Sequence, residues 1–90
     1  MQKSLKSPEY ARLIAALVAV RHSVGVRQQA LAKKLGRPQS FVAKYEGGER
    51  RIDVVEFIAI ARALGADPGK LFRDFAEGKP VKAGRKPAAG

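Results

Sequence analysis

Cysteine and long apolar runs are absent from this sequence. With no cysteine among its 90 residues, the chain has neither a disulfide framework nor a thiolate metal site, which is consistent with a reducing compartment. No stretch has the apolar continuity of a membrane helix, and the opening segment MQKSLKSPEY lacks the apolar core of a signal peptide. We therefore expect a cytoplasmic protein that makes no contact with a membrane.

The residues that enzymes and metal sites use are equally scarce. The single histidine, His22, falls near the end of a predicted helix, where a surface or capping role is typical. Gly47-Gly48 marks a turn and does not match a phosphate-binding loop. The sequence therefore predicts no catalytic residue, no metal site and no cofactor, and we expect that the protein is not an enzyme.

Positive charge is abundant and unevenly placed. The chain carries 18 lysines and arginines against 8 acidic residues, a net charge of +10. Residues 21–51 hold eight of the basic residues and two of the acidic ones, a balance of +6, so over half of the excess falls in about a third of the chain. Basic surfaces are common in small proteins, but this concentration is typical of a surface that binds a polyanion.

The most basic segment also has the pattern of two short helices. Leu31 and Leu35 are four residues apart and share one helix face. Gly36 can adopt the left-handed conformation that ends a helix, and Pro38 suits the first turn of the next one. Residues 27–46 are therefore predicted to form two helices joined by a tight turn, which is a helix-turn-helix.

The second of these helices, at about 38–46, is predicted to present polar groups on its outer face. Val42 and Tyr45 are three residues apart and face the core. The residues turned outward are Gln39, Ser40, Ala43 and Lys44. Amides and cations hydrogen-bond the base edges in the major groove of DNA, so this face is a candidate for reading sequence. The alternative is a set of solvated polar residues with no ligand.

The remaining helices are predicted from their start signals. A first helix begins at Ser7-Pro8, with a hydroxyl cap and a proline in the first turn, and ends at about His22. Asp53 and Glu56 form a capping box ahead of a fourth helix. Its apolar stripe is expected to include Val54, Phe57, Ile58, Ala61 and Leu64, and Asp67-Pro68 opens a last short helix.

Five helices and no strand signal predict an all-α fold, a five-helix orthogonal bundle. We divide the chain into a flexible N-terminal arm at 1–7, a helix-turn-helix DNA-binding domain at 8–76 and a disordered basic tail at 77–90. The tail is predicted to be disordered because it is rich in lysine, glycine and proline and has little apolar content.

The spacing of the motif residues resembles a known family. Residues 28–36 read Gln-x-x-Leu-Ala-x-x-Leu-Gly, and residues 42–48 read Val-x-x-Tyr-Glu-x-Gly. This pattern is similar to the helix-turn-helix family of the phage repressor and Cro type, which includes the xenobiotic-response-element-type bacterial regulators. The likeness covers residues 10–75 and implies a fold of the lambda-repressor-like DNA-binding type.

The chain departs from the family pattern at three places. Ala43 stands where a serine is usual, so one phosphate or base contact is missing. Arg27 replaces the usual serine or threonine cap before the first helix of the motif, and Arg37-Pro38 replaces the cap before the second. These departures affect helix capping and leave the motif itself intact.

The resemblance implies DNA contacts at particular positions. The residues that match the family's base-reading positions are Gln39, Ser40 and Lys44. Gln28 matches a glutamine that the family places at a phosphate beside a helix N-terminus. Other side chains suited to phosphates, which fix register but carry little sequence information, are Arg27, Lys34, Arg37, Arg50 and Arg51. Phe41 is predicted to pack inside the domain, with contact to a thymine methyl or a deoxyribose as the alternative.

Two further contacts follow from the resemblance. Similar proteins join the first helix to the end of the recognition helix by an arginine–glutamate pair, which Arg21 and Glu46 match; such a pair orients the helix more than it adds stability. The family's habit of dimerising through its last helix makes Leu71, Phe72 and Phe75 candidate dimer contacts. Closing the monomer core is the alternative role for these three residues.

These features predict a sequence-specific regulator of transcription that binds double-stranded DNA. We expect a repressor that acts as a homodimer on a palindromic operator, in the cytoplasm of a bacterium or of a phage host, associated with the nucleoid. Two alternatives stay open: an antitoxin or adaptor that binds a protein such as a toxin or a polymerase, and an architectural protein that binds DNA without reading its sequence.

Overall fold

Five helices make up the computed structural model of the chain, which describes residues 7–79. Their bounds are α1 Pro8–Ser23, α2 Gln28–Leu35, α3 Gln39–Glu46, α4 Val54–Ala63 and α5 Pro68–Ala76. Within 7–79 there is no strand, so the predicted all-α fold of five helices is confirmed. Most of the predicted N-terminal arm, and the predicted tail from residue 80 onward, lie outside the described residues.

Side-chain caps begin three of the helices. The backbone N–H of Tyr10 donates to the hydroxyl of Ser7 at 3.1 Å. At the start of α4 the N–H of Glu56 donates to Asp53 at 2.7 Å, and the N–H of Asp53 donates to Glu56 at 3.0 Å, which completes the predicted capping box. Asp67 caps α5 through two backbone N–H groups. Local sequence therefore decides where these helices begin.

The two helices of the motif lack such caps. Arg27 and Pro38 occupy the N-cap positions of α2 and α3, and neither donates or accepts a side-chain capping hydrogen bond. Pro38 thus lies just outside α3, one position before the predicted first turn. Between the helices, Gly36 has φ 69° and ψ 30°, a left-handed conformation that glycine adopts without the strain of a Cβ. The first-turn N–H groups of α2 stay open to an anion.

The core is formed where the helices converge on α2 and α3. Helix α2 packs against α3 and α4, α1 packs against α3, and α5 packs against α4. The largest side chains that are fully buried are Tyr45, Leu17, Leu31, Ile60, Val20 and Val42. No helix within residues 7–79 is long and apolar enough to span a membrane.

The expected stripe of α4 is wrong at its first residue. Val54 is 70% exposed, and Val55 beside it is 74% exposed. The buried stripe begins one turn later at Phe57 and continues to Leu64. Helical spacing alone extended the stripe to Val54, but the first turn of α4 projects past the elements that cover the rest of the helix.

Helix α5 ends at Ala76, and a hydrogen-bonded turn follows it. The N–H of Glu77 donates to the carbonyl of Arg73, and the N–H of Lys79 donates to the carbonyl of Asp74, both at 2.9 Å. Gly78 has a left-handed φ of 76°. Residues 77–79 therefore form the turn that terminates α5 after Ala76.

Tyr45 carries a buried hydroxyl group without a hydrogen-bond partner among the described residues. Its side chain is fully buried in the core. Burial also raises the pKa of this hydroxyl well above its ordinary value, because the charged form is poorly solvated there. Tyr10, by contrast, has a hydroxyl that accepts the backbone N–H of Ile52 at 3.1 Å.

We predict that Tyr45→Phe leaves the free energy of unfolding unchanged or raises it by up to about 1 kcal/mol, because the removed group is desolvated and unpaired. The matched variant Tyr10→Phe removes a paired hydroxyl and is expected to lower that free energy by about 0.5–1.5 kcal/mol. Urea denaturation of the three proteins measures both effects. A clear loss of stability in Tyr45→Phe would contradict the prediction.

Candidate nucleic-acid interface

Helix α3 separates apolar and polar residues cleanly between its two sides. Val42 and Tyr45 are fully buried, and Phe41 is 6% exposed, so packing is the role of this phenylalanine. The exposed residues of the helix are Gln39, Ser40, Ala43 and Lys44. An amide, a hydroxyl and a cation thus share one outward surface, as the sequence predicts, and a small residue between them keeps that surface open.

An ion pair fixes the end of α3 to α1. Arg21 donates from Nε to Oε2 of Glu46 at 2.7 Å and from Nη2 to Oε1 at 2.9 Å, a bidentate geometry. Both side chains are less than a tenth exposed. The hydrogen bond to Glu46 raises the pKa of Arg21 above its ordinary value, against the opposing effect of burial. Arg21 therefore stays charged inside the domain.

This ion pair extends to the outer surface of α3 through two glutamines. Gln28 donates from Nε2 to Oε1 of Glu46 at 2.9 Å. Gln39 in turn donates from Nε2 to Oε1 of Gln28 at 3.3 Å. Arg21 also donates from Nη1 to the carbonyl of Val26, in the loop before α2, at 2.9 Å. The side chain predicted to read a base is therefore linked, through three hydrogen-bonded steps, to the buried arginine of α1.

A second carboxylate holds two of the predicted phosphate-binding arginines. Arg37 donates to Oε2 of Glu56 at 2.9 Å, and Arg50 donates to both oxygens of Glu56 at 3.0 Å. The same guanidinium groups lie over the ring of Phe41, at 4.2 and 4.9 Å from its centroid. The hydrogen bond from Arg50 is the main cause that lowers the pKa of Glu56 to about 2.

The other predicted phosphate contacts occupy exposed positions. Arg27 lies at the uncapped start of α2, and Lys34 is exposed near its end. Arg51 is exposed in the loop after α3, with its guanidinium 4.2 Å from the ring centroid of Tyr10. Gln28 differs from these three because its side-chain amide already bonds Glu46 and Gln39.

The three candidate dimer residues of α5 have unequal surroundings. Leu71 is buried at 5% exposure and closes the monomer core, which is the alternative role given above. Phe72 is 54% exposed and meets the ring of Phe57 edge-on, with 6.2 Å between the centroids. Phe75 is half-buried beneath the guanidinium of Arg12, 4.9 Å from its ring centroid. Phe72 is therefore the member of this set that is most available to a partner.

Sequence reasoning missed the roles of Gln28 and Glu56 as bridges. Gln28 is 18 residues from Glu46 and 11 from Gln39, and Glu56 is 19 residues from Arg37. No helical or turn spacing relates residues so far apart. The one available signal was the charge of Glu56, because an acidic residue close to a basic segment tends to form an ion pair with it.

The comparisons with known proteins agree with this geometry. A family profile described as "Helix-turn-helix domain" matches residues 11–73. Among solved structures, the chain is similar to one described as "XRE-family like protein from Pseudomonas syringae pv. tomato str. DC3000". The two share 43% sequence identity and a TM-score of 0.76, over 80% of this chain and 88% of that one. A search of curated proteins gave no match.

The class defined by fold and site is that of helix-turn-helix DNA-binding domains. Within that class, the chain belongs to the family of Cro and XRE type, as the resemblance in sequence indicated. Proteins of this family are regulators of transcription, and a helix-turn-helix domain of this type binds double-stranded DNA. Among residues 7–79 no group of acidic residues and histidines has the arrangement of a metal site.

We predict that Glu46→Ala lowers thermal stability and DNA affinity together. The substitution leaves the buried guanidinium of Arg21 without its carboxylate, which costs on the order of 3–5 kcal/mol for a buried pair. It also frees Gln28 and the end of α3. Calorimetry and fluorescence-anisotropy titration with duplex DNA measure the two quantities. A fall in affinity at unchanged stability would show that Glu46 has a different role.

Proposed function

We propose that this protein is a sequence-specific repressor that acts as a homodimer on a palindromic operator, in the cytoplasm and on the bacterial nucleoid. The observation that carries the proposal is the outer face of α3, where Gln39, Ser40 and Lys44 are exposed together on a helix anchored from behind by Arg21 and Glu46. Such a helix enters the major groove as a rigid unit, so its side chains meet base edges in a fixed register.

The chemistry of the three exposed side chains supports base recognition. Gln39 uses one amide hydrogen on Gln28, which leaves its second hydrogen and its carbonyl oxygen for the N7 and N6 edge of an adenine. Lys44 is a donor suited to guanine, and Ser40 donates or accepts. Each well-formed base contact contributes about 1–3 kcal/mol of discrimination. This is enough to select a short operator from random DNA.

Phosphate contacts would frame the recognition helix. The uncapped N-terminus of α2 offers backbone N–H groups and the positive end of a helix dipole to one phosphate. Exposed cations at Arg27, Lys34 and Arg51 lie on either side of α3 in the sequence. These contacts place the domain on the duplex and make binding sensitive to salt.

A homodimer supplies the second half of a palindromic site. Two-fold symmetry places two recognition helices in successive major grooves about 34 Å apart. Phe72 on α5 and Val54 and Val55 on α4 are the large apolar side chains that the described part of the chain leaves most exposed. We propose that the dimer interface covers Phe72, because an exposed aromatic side chain gains most from a symmetric contact. A dimer seated in two grooves would repress by excluding other proteins from that DNA.

Selection from a randomised duplex library tests the reading of sequence. At about 150 mM salt, where weak phosphate contacts are screened, we expect wild-type protein to recover an inverted repeat. The double variant Gln39→Ala/Lys44→Ala is expected to lose preference at specific base positions while its melting temperature stays within a few degrees, because both side chains are exposed. Sequencing of the selected pools gives the preference at each position.

Two results would contradict the proposed reading. Recovery of no motif, with binding that is lost steeply as salt rises, would indicate an architectural protein that binds by charge. An inverted repeat that is identical for wild type and double variant would move the reading function to other residues. Absence of duplex binding altogether would favour an adaptor or antitoxin that binds a partner protein.

The dimer is tested by Phe72→Gln. Each copy contributes its own Phe72 to a symmetric interface, so one substitution acts twice, and we expect the dimer dissociation constant to rise at least about tenfold. Ala19→Gln places the same side chain at an exposed position of α1 and serves as the matched control. Sedimentation equilibrium measures both. A dimer weakened by Ala19→Gln and untouched by Phe72→Gln would place the interface on α1.

A further inference from the structure

We propose that Glu56 is a positioning residue for DNA recognition, which holds Arg37 and Arg50 side by side as a paired guanidinium site for a backbone phosphate. The inference rests on the proposed function, because it assigns to Glu56 a share of the specificity of α3. Glu56 itself would not touch DNA. It would act by fixing the two arginines that set how α3 lies against the duplex.

The geometry around Glu56 uses both of its oxygens. Oε2 accepts from Nη2 of Arg37 at 2.9 Å and from Nη2 of Arg50 at 3.0 Å, so two guanidinium groups meet at a single atom. Oε1 accepts from Nη1 of Arg50 and from the backbone N–H of Asp53, each at 3.0 Å. The carboxylate is only 14% exposed. Its place is fixed by the backbone at the start of α4, because the capping box binds the same side chain.

The charges of this cluster favour one more anion. Two guanidinium groups at one oxygen repel each other, and the two arginines and the one carboxylate that bonds them carry a net charge of +1. The charge of Asp53 also acts on Arg50. The ring of Phe41 lies below both groups and offsets part of the repulsion through its electron-rich face. Both arginine side chains remain 40% exposed, so each still has donors facing solvent. A phosphodiester carries one negative charge and accepts from such donors.

The two arginines flank the recognition helix in sequence. Arg37 lies just before α3, and Arg50 lies in the loop that follows it. Through Glu56 they are joined at one point of α4, although they enter from opposite ends of the reading helix. A phosphate bound between them would therefore fix the angle of α3 relative to the DNA backbone. Phosphate contacts of this kind place base-reading side chains in register without reading bases themselves.

Glu56→Gln separates this role from helix capping. Glutamine keeps an oxygen that accepts the capping hydrogen bond from Asp53, since glutamine also completes a capping box. It loses the negative charge that holds the two guanidinium groups together. Asp53→Asn is the matched control. Asparagine is an equally good N-cap, and the change in net charge is the same as in Glu56→Gln. Asp53 makes no side-chain hydrogen bond to either arginine among the described contacts.

The experiment measures the affinity of each full-length variant for the selected operator and for a random duplex of equal length, over a range of salt. We expect Glu56→Gln to reduce the ratio of specific to random affinity about tenfold, the scale of one lost base contact. Its affinity for the random duplex should be unchanged or higher, because both arginines keep their charge. Asp53→Asn is expected to leave the ratio within about twofold of wild type.

A second comparison shows whether Glu56 acts through the arginines. In the background Arg37→Gln/Arg50→Gln, the further substitution Glu56→Gln should change the ratio by less than about twofold, since the groups that it positions are gone. A role limited to stability would instead lower operator and random affinities by the same factor, and that result would overturn the inference. An unchanged ratio in Glu56→Gln would overturn it as well.

The failure of the inference and that of the proposed function are distinguishable in the same data. If the wild type itself binds operator and random duplexes equally, the proposed sequence reading is wrong and this inference falls with it. If the wild type prefers the operator and Glu56→Gln shows the same ratio of specific to random affinity, the proposed function stands. Only the positioning role of Glu56 is then rejected.

Discussion

The ion pair between Arg21 and Glu46 is the interaction on which the placement of α3 depends. A small five-helix domain buries a limited core, and both helices of its motif begin without side-chain caps. A buried two-pronged pair tolerates little displacement, because any movement leaves charge desolvated and unpaired. Gln28 and Gln39 carry this constraint to the surface. The fixed position of α3 thus depends on a residue of α1.

Two carboxylates on a strongly basic protein have comparable roles. Glu46 joins α1, α2 and α3, while Glu56 joins both flanks of α3 to α4. Glu56 lies between two arginines that would otherwise repel one another, whereas Glu46 pairs with the single buried arginine Arg21. Neutralising the positive charge of the protein is not the main effect of these two carboxylates, because the net charge of the chain is still +10 when all acidic residues are counted. Their effect is to turn a diffuse basic surface into groups with defined positions.

Much of the fold was predictable because its signals are local. Ser7, Asp53 and Asp67 begin helices through hydrogen bonds that span two or three residues, and Gly36 ends one through its own backbone conformation. The spacing of Leu31 and Leu35 predicted α2, and the structure shows a helix there. The motif indicated the family without any tertiary contact. The apolar stripe of α4 was predicted wrongly at Val54, because the exposure of that residue depends on which other helices and loops cover it.

By itself, the sequence determined the five helices, the helix-turn-helix motif and the concentration of positive charge. It also determined that Gln39, Ser40 and Lys44 share an outward face, because periodicity within one helix decides which side chains lie on the same side. Only the tertiary structure decided that Gln28 bonds Glu46 and that Glu56 gathers Arg37 and Arg50. Those partners are brought together by packing between helices. Hydrogen bonds between residues so far apart in the sequence produce no periodic pattern from which they could be predicted.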